Sequence, residues 1–142
     1  VEDIEAKFID ATCRLLKRET LAPSAPIHLA YDLTTVGWYG EENRWVTGSI
    51  KDDNTTDFWH YAVLSTVSPG QNYILGATPI KDGSERAEAL DRMLHRVRQN
   101  ADPDFGRIYM DSQLFQADVV TKCRKHGLNW MVQAPETPSL AA

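Results

Sequence analysis

Long apolar runs are absent from this sequence. No stretch approaches the roughly 18 consecutive apolar residues that a membrane-spanning helix requires. The N-terminal part alternates charged with apolar positions and does not form the hydrophobic segment of a signal peptide. We therefore expect a cytoplasmic protein with no membrane partner. The 142 residues suit one domain, and their 42% apolar content is enough to form a hydrophobic core.

Cysteines are scarce as well. The chain has only Cys13 and Cys123, both in stretches with helical periodicity, and its four histidines are scattered. This pattern contains neither a disulfide framework nor the Cys/His spacing of a zinc site. It favours two reduced, partly buried cysteines over a disulfide.

A surplus of positive charge is also lacking. The chain has 15 Lys and Arg against 20 Asp and Glu, a formal net charge of −5. That balance argues against a general-purpose nucleic-acid binder. Two local basic clusters, at residues 92–98 and 122–126, are typical of solvated helix faces, with phosphate contacts as the alternative. No Gly-rich phosphate-binding motif is present, which argues against a small-ligand domain.

The sequence does contain a clear order of helix-like and strand-like segments. The predicted elements are a helix at 1–21, strands at 27–33, 44–50, 58–67 and 73–80, a helix at 87–101, a strand at 107–111, a helix from Ser112, and a strand at 128–132. This order predicts an α/β protein with antiparallel pairing early and parallel crossovers late.

Breaks in these patterns suggest the domain organisation. Residues 1–22 are expected to form an N-terminal helix and linker, because a proline-containing stretch follows them. Residues 26–136 are expected to form the core, and residues 137–142 a disordered tail. Residues 51–57 are rich in Asp, Asn and Thr and are predicted to be a polar loop.

Two aspartates fall where chemistry often occurs in α/β proteins. Asp32 lies near the C-terminal end of the first strand, and Asp111 ends the strand at 107–111, immediately before a helix. If these strands are parallel neighbours, their C-terminal ends meet at one edge of the sheet. Paired carboxylates there suit divalent cations that act on phosphodiesters. As the alternative, each aspartate is an ordinary turn former or helix cap.

Three segments of the chain resemble a known family. They are Tyr-Asp-Leu-Thr at 31–34, Tyr-Met-Asp-Ser-Gln-Leu-Phe at 109–115 and His-Gly-Leu-Asn-Trp-Met-Val at 126–132. With the hairpin between the first two, they resemble the catalytic domain of insertion-sequence DDE transposases, especially those of halophilic archaea. The resemblance covers about residues 26–136.

The resemblance implies a fold and a function. The implied fold is an RNase H-like mixed sheet of antiparallel hairpin strands and parallel strands, flanked by helices. Asp32 and Asp111 would be the first two metal-binding carboxylates, holding Mg²⁺ or Mn²⁺ for DNA strand cleavage and strand transfer. The implied partners are DNA, as transposon ends and target, and a second subunit in a homodimer.

One part of the family pattern is missing. The family carries a third carboxylate, a Glu on a helix beyond the last strand. The only acidic residue after that strand here is Glu136, between two prolines that oppose a helix. We therefore expect a C-terminally incomplete core that is inactive alone, and the start at Val1 suggests a fragment or a non-standard start. The alternative is a non-catalytic remnant that binds DNA or a partner.

Aromatic and basic residues supply candidate DNA contacts. Trp38 and Trp45 flank turns, where they could stack on bases. Lys51 could contact phosphate, although a solvated loop lysine fits the pattern as well. Trp59 and Trp130 lie in strand-like runs and are predicted to belong to the core.

Overall fold

A computed structural model of the protein describes residues 2–19, 26–41, 43–52, 55–67, 72–81 and 83–133. Glu136 and the predicted tail lie outside these residues. Within them the regular elements, in chain order, are α1 (Glu2–Glu19), β1 (Ile27–Gly37), β2 (Val46–Asp52), β3 (Thr55–Val67), β4 (Ile74–Ile80), α2 (Arg86–Ala101), β5 (Phe105–Met110), α3 (Ala117–Lys125) and β6 (Asn129–Val132). Two short 3₁₀ turns, Gly83–Glu85 and Ser112–Leu114, precede α2 and α3.

The described strands form one six-stranded mixed sheet in the order β2-β3-β1-β5-β6. The long strand β3 pairs antiparallel with β1 on one side. On its other side it pairs with β2 near its start and with β4 further along. The pairs β1–β5 and β5–β6 are parallel. The predicted architecture, an α/β fold with a mixed sheet whose antiparallel strands come early and whose parallel strands come late, is confirmed.

The hydrophobic core lies between the helices and one face of the sheet. Each helix contributes a buried stripe, and the strands β1, β3 and β5 contribute residues from one face, as the helical and strand periodicities require. Buried residues from the three described α-helices include Ile9, Cys13, Leu16, Leu90, Met93, Leu94, Val97, Val119 and Cys123; buried strand residues include Leu29, Tyr31, Ala62, Leu64, Leu75, Ile108 and Met110. Helix α1 therefore packs into the same core as the sheet.

The opposite side of the sheet, here called the open face, has no helix packed on it within the described residues. Because side chains alternate along a strand, the neighbours of the buried strand residues point to this side. They are Ala30, Asp32 and Thr34 on β1, Trp59, Tyr61 and Val63 on β3, and Tyr109 on β5. The open face is thus part apolar, part aromatic and part acidic.

Charged contacts join the helices to one another. Arg92 forms a two-pronged ion pair with Glu5, with both N···O distances 3.0 Å, and Arg96 does the same with Asp10 at 2.8 Å. Both pairs link α2 to α1. No helix in the described part of the chain is long and apolar enough to cross a membrane.

The predicted polar loop at 51–57 is wrong for most of its length. Residues 51–52 end β2 and residues 55–57 begin β3, with Asp52 paired to Thr55. Thr55 is buried, and its hydroxyl donates to the carbonyl of Trp38 at 2.7 Å. Polar residues are tolerated here because this hairpin reaches the edge of the sheet, where solvated side chains are common.

The helix predicted to begin at Ser112 begins later in the structure. Asp111, rather than Ser112, caps the first turn, which is a 3₁₀ turn ending at Leu114. Helix α3 begins only at Ala117, so Phe115 is left outside it and 59% exposed. Gly127 follows the end of α3 with a φ of 69°, a conformation that favours glycine.

Candidate functional site

Asp32 lies in the middle of β1 and points to the open face. Its neighbour Tyr31 is buried on the helix side, so the alternation of the strand directs Asp32 away from the core. The carboxylate is exposed, and its Oδ1 accepts the backbone N–H of Leu33 at 2.8 Å. A solvated carboxylate at this position leaves room for a ligand and its water shell.

Asp111 follows directly after the last residue of β5. Met110 is buried on the helix side, and the extended backbone of Asp111 continues the alternation towards the open face. Its Oδ1 accepts the backbone N–H of Ser112 at 2.5 Å and lies 3.2 Å from the Ser112 hydroxyl. Asp111 is thus a local cap, as the alternative interpretation predicts, and that role uses one of its oxygens.

The sheet register brings these two carboxylates together. Tyr31 is paired with Met110 across the parallel strands β1 and β5. Asp32 and Asp111 are the next residues on the two strands, whose backbones lie about 4.8 Å apart. They therefore share one end and one face of the sheet, although they are far apart in sequence. Only the pairing of β1 with β5 creates this proximity.

The donor set of this pair suits a hard divalent cation only in part. Carboxylate oxygens are the ligands that Mg²⁺ and Mn²⁺ prefer. Within the described residues, Oδ2 of neither aspartate accepts a hydrogen bond, so each keeps an oxygen for a ligand. However, no group of three or more His, Cys, Asp or Glu side chains suited to a metal occurs there. Asp32 and Asp111 would hold the ion together with water and substrate oxygens.

The start of α2 supports the loop that carries Asp111. The hydroxyl of buried Tyr31 donates to the carbonyl of Arg86 at 2.7 Å. The Arg86 guanidinium donates to the carbonyl of Gln113 at 2.8 Å, while its Nε is buried and finds no acceptor among the described residues. Arg86 thus ties α2 to the turn after Asp111, and the sequence analysis did not identify it. Its cation lies beside the turn that follows the carboxylates.

The predicted DNA contacts do not lie together. Trp38 follows β1 on the open face, and its ring N–H donates to the carbonyl of Glu41 at 2.7 Å. Trp45 precedes β2, with the Arg44 guanidinium 4.8 Å from the centre of its ring. It lines a cavity of about 710 Å³ between β4 and the start of α2, away from the aspartates. The backbone of Lys51 lies in β2; its side chain falls outside the described part.

Two aromatic residues predicted to be core have other positions. Trp59 is half-buried on the open face, and its ring contacts Trp38 at 5.9 Å and Tyr61 at 6.1 Å between ring centres. Trp130 is 36% exposed, with the Arg124 guanidinium 5.1 Å from its ring centre. The core prediction is therefore wrong for both. The sequence contained a signal for the position of Trp59. Apolar residues occur on both faces of β3, so an apolar residue in this strand need not belong to the core.

No family model and no curated protein matches this sequence. The solved structures that resemble this chain include three transposase complexes. A Mos1 transposase paired-end complex with the left transposon end gives a TM-score of 0.46 at 13% identity, over 99% of this chain and 45% of that one. The Mos1 strand transfer complex gives 0.43 at 13%, over 96% and 42%, and a Mos1 mariner paired-end complex with Mn gives 0.40 at 10%, over 99% and 46%.

The similarity to these transposase complexes comes at low sequence identity and with TM-scores below 0.5. The chain spans less than half the length of these neighbours. What the candidate site can do therefore depends on this chain's own residues. The open face offers two adjacent carboxylates, Asp32 in the middle of β1 and Asp111 just after the end of the parallel strand β5, with aromatic rings further along the same face.

Proposed function

We propose that this chain is part of the catalytic core of an insertion-sequence DDE transposase of the haloarchaeal type. The observation that carries the proposal is the position of Asp32 and Asp111, one residue beyond the paired Tyr31 and Met110 on parallel strands and on the same face. The motifs around both residues resemble those of this family. The proposed substrates are transposon ends and target DNA, and a homodimer is the proposed assembly.

The two carboxylates would hold Mg²⁺ or Mn²⁺ against a phosphodiester. A bound divalent ion would lower the pKa of an attacking water or hydroxyl and stabilise the leaving oxygen. Asp32 contributes a carboxylate fixed within a strand, and Asp111 one fixed by its cap on Ser112. Asp111 is positioned further by the contact of Arg86 with Gln113. The chain supplies no nucleophile of its own in this mechanism.

A Mn²⁺ titration by calorimetry tests the metal site. We expect saturable binding by the wild type, and Asp32→Asn or Asp111→Asn should each weaken it by about 10-fold or more, because each removes a charged ligand. Asp104→Asn is the matched control, an exposed aspartate at the opposite end of β5. Equal binding by all four proteins would exclude this metal site.

The second candidate is a non-catalytic module that binds DNA or a partner. It is favoured by the lack of a third suitable carboxylate near the pair among the described residues. Incubation with supercoiled plasmid and Mn²⁺ separates the two functions. Nicking that Asp32→Asn abolishes would support the catalytic function. Mn²⁺ binding without nicking would favour the non-catalytic one.

A further inference from the structure

The open face carries a row of aromatic rings, formed by Trp38, Trp59 and Tyr61 and here called the aromatic row. The rings of Trp59 and Tyr61 are nearly parallel, with an angle of 15° between their planes and 6.1 Å between their centres. Trp38 meets Trp59 edge-on at 68° and 5.9 Å. Two residues apart on β3, Trp59 and Tyr61 project from the same face of the strand.

The aromatic row is held in place before any ligand binds. The backbone N–H of Trp38 donates to the carbonyl of Asp57 at 2.8 Å, and its carbonyl accepts the hydroxyl of Thr55. Its indole N–H donates to the carbonyl of Glu41, and Gly40 lies against the ring, where a Cβ would come within 2.7 Å of it. A ring fixed in this way loses little conformational entropy on binding.

The aromatic row begins next to the carboxylate pair. Across β1 and β3, Asp32 is paired with Val63, and Thr34 with Tyr61. Tyr61 is therefore the diagonal neighbour of Asp32 on the same face, within reach of a long side chain. The row then continues through Trp59 to Trp38, away from Asp111. A DNA strand bound at the two aspartates would run along these rings.

One donor in the row has no partner in the part of the chain that the structure describes. The indole N–H of Trp59 is buried and has no hydrogen-bond acceptor among the described residues. Buried donors are seldom left unpaired. An acceptor on a ligand bound at the row would satisfy this N–H.

We propose that the aromatic row is a stacking platform for unpaired nucleotides of a DNA strand whose neighbouring phosphate lies at Asp32 and Asp111. This inference rests on the proposed function, because it assigns the substrate next to the same site. Bases suit the row because every base has a flat face that stacks on an aromatic ring, whatever its sequence. They also carry the acceptors that the N–H of Trp59 lacks.

The test measures binding of a fluorescein-labelled single-stranded oligothymidine by anisotropy, at low salt with EDTA. With EDTA present, no divalent ion contributes to the binding that is measured. We expect the wild type to bind the single strand more tightly than a duplex of matched length. Tyr61→Leu and Trp38→Leu should each weaken binding by roughly 5- to 100-fold, since a stacked base contributes about 1–3 kcal/mol.

Two control variants separate stacking from folding. Tyr61→Phe keeps the ring and should bind like the wild type, whereas a role for the hydroxyl would make it behave like Tyr61→Leu. Trp130→Leu removes an exposed tryptophan outside the row and should leave binding unchanged. Urea unfolding of each variant identifies any that fail to fold. If Tyr61→Leu does not fold, binding by Tyr61→Phe and Trp38→Leu tests the stacking platform instead.

Several outcomes would overturn the proposal. They are equal affinity for single strand and duplex, no binding of the single strand by the wild type, and full binding by a folded Tyr61→Leu variant. The absence of single-strand binding by the wild type would favour a protein partner for the aromatic row. If Mn²⁺ does not bind while the single strand still binds, the stacking platform is supported and the metal site is excluded. Failure of the proposed function is therefore distinguishable from failure of this inference.

Discussion

Asp91 shows how one residue can join two helices. It lies on α2, and its carboxylate accepts hydrogen bonds from Lys122 at 3.2 Å, Lys125 at 2.8 Å and His126 at 2.7 Å, all at the C-terminal end of α3. Lys122 also pairs with Glu88 at 2.9 Å. The basic cluster predicted to be a solvated helix face is therefore largely engaged with α2.

The environment of Asp91 changes its acidity. Partial burial raises the pKa of its carboxyl, but hydrogen bonds from Lys125, His126 and Lys122 outweigh burial and hold the pKa well below its ordinary value. A carboxyl whose pKa is lower in the folded state stabilises the fold above its unfolded pKa of about 3.9. That stabilisation is lost as the pH falls through the folded pKa.

The prediction at this scale concerns Asp91→Asn. At pH 7 the variant should have a free energy of unfolding lower by about 1–2 kcal/mol, because three charged or polar donors lose an anionic acceptor. The difference in free energy of unfolding between the wild type and this variant should narrow as the pH falls from about 5 towards 2. Urea denaturation across this range measures it. Asp104→Asn, at an exposed aspartate, is the control, and a difference for Asp91→Asn that stays constant across this pH range would contradict the argument.

At the scale of elements, α1 is the helix whose role the sequence leaves most open. Its pattern predicts an amphipathic helix but does not say what it packs against. In the structure Ile9 is fully buried in the core, and Glu5 and Asp10 pair with arginines of α2. Ile4, on the same helix, is 73% exposed. One helix thus carries a buried and an exposed isoleucine, which makes a matched comparison possible.

We predict that Ile9→Ala lowers the free energy of unfolding by about 2–5 kcal/mol, through lost apolar burial and a remaining cavity. Ile4→Ala should change it by less than about 0.5 kcal/mol, because its side chain is already in water. Urea unfolding followed by circular dichroism compares them. Equal, small effects would mean that α1 is not part of the cooperative fold.

At the scale of the whole molecule, the two cysteines report whether the fold behaves as one unit. Cys13 lies on α1 and Cys123 on α3, and both are buried and reduced. Burial raises the pKa of both thiols, that of Cys123 to about 11. At neutral pH both should be protonated and inaccessible, so reaction with a thiol reagent requires the structure to open.

The prediction is that both cysteines react with a thiol reagent only on global unfolding. Labelling at increasing urea concentrations, with each site read separately by peptide mass spectrometry, should give the same midpoint for the two. The ion pairs between α1 and α2 and the cluster around Asp91 supply the physical reason, since both bind outer helices to α2. Earlier labelling of Cys13 would show that α1 detaches first.

What the sequence determines about this protein is local. Periods of 3.6 and 2 residues identify α1, α2 and the strands, and Gly127 marks the end of α3 because few other residues adopt its φ. The order of elements predicts the α/β class. The predicted helix start at Ser112 and the predicted loop at 51–57 were wrong because capping by Asp111 and strand pairing at the sheet edge overrode the local pattern.

Tertiary structure alone decided what the open face contains. Asp32 and Asp111 are neighbours because β1 and β5 pair in one register, and a shift of one residue would turn one carboxylate into the core. Trp59 lies beside Trp38 and Tyr61 because the helices pack on the other side of the sheet. Alternation along a strand says which residues share a face. Only packing over long sequence distances decides which face is buried.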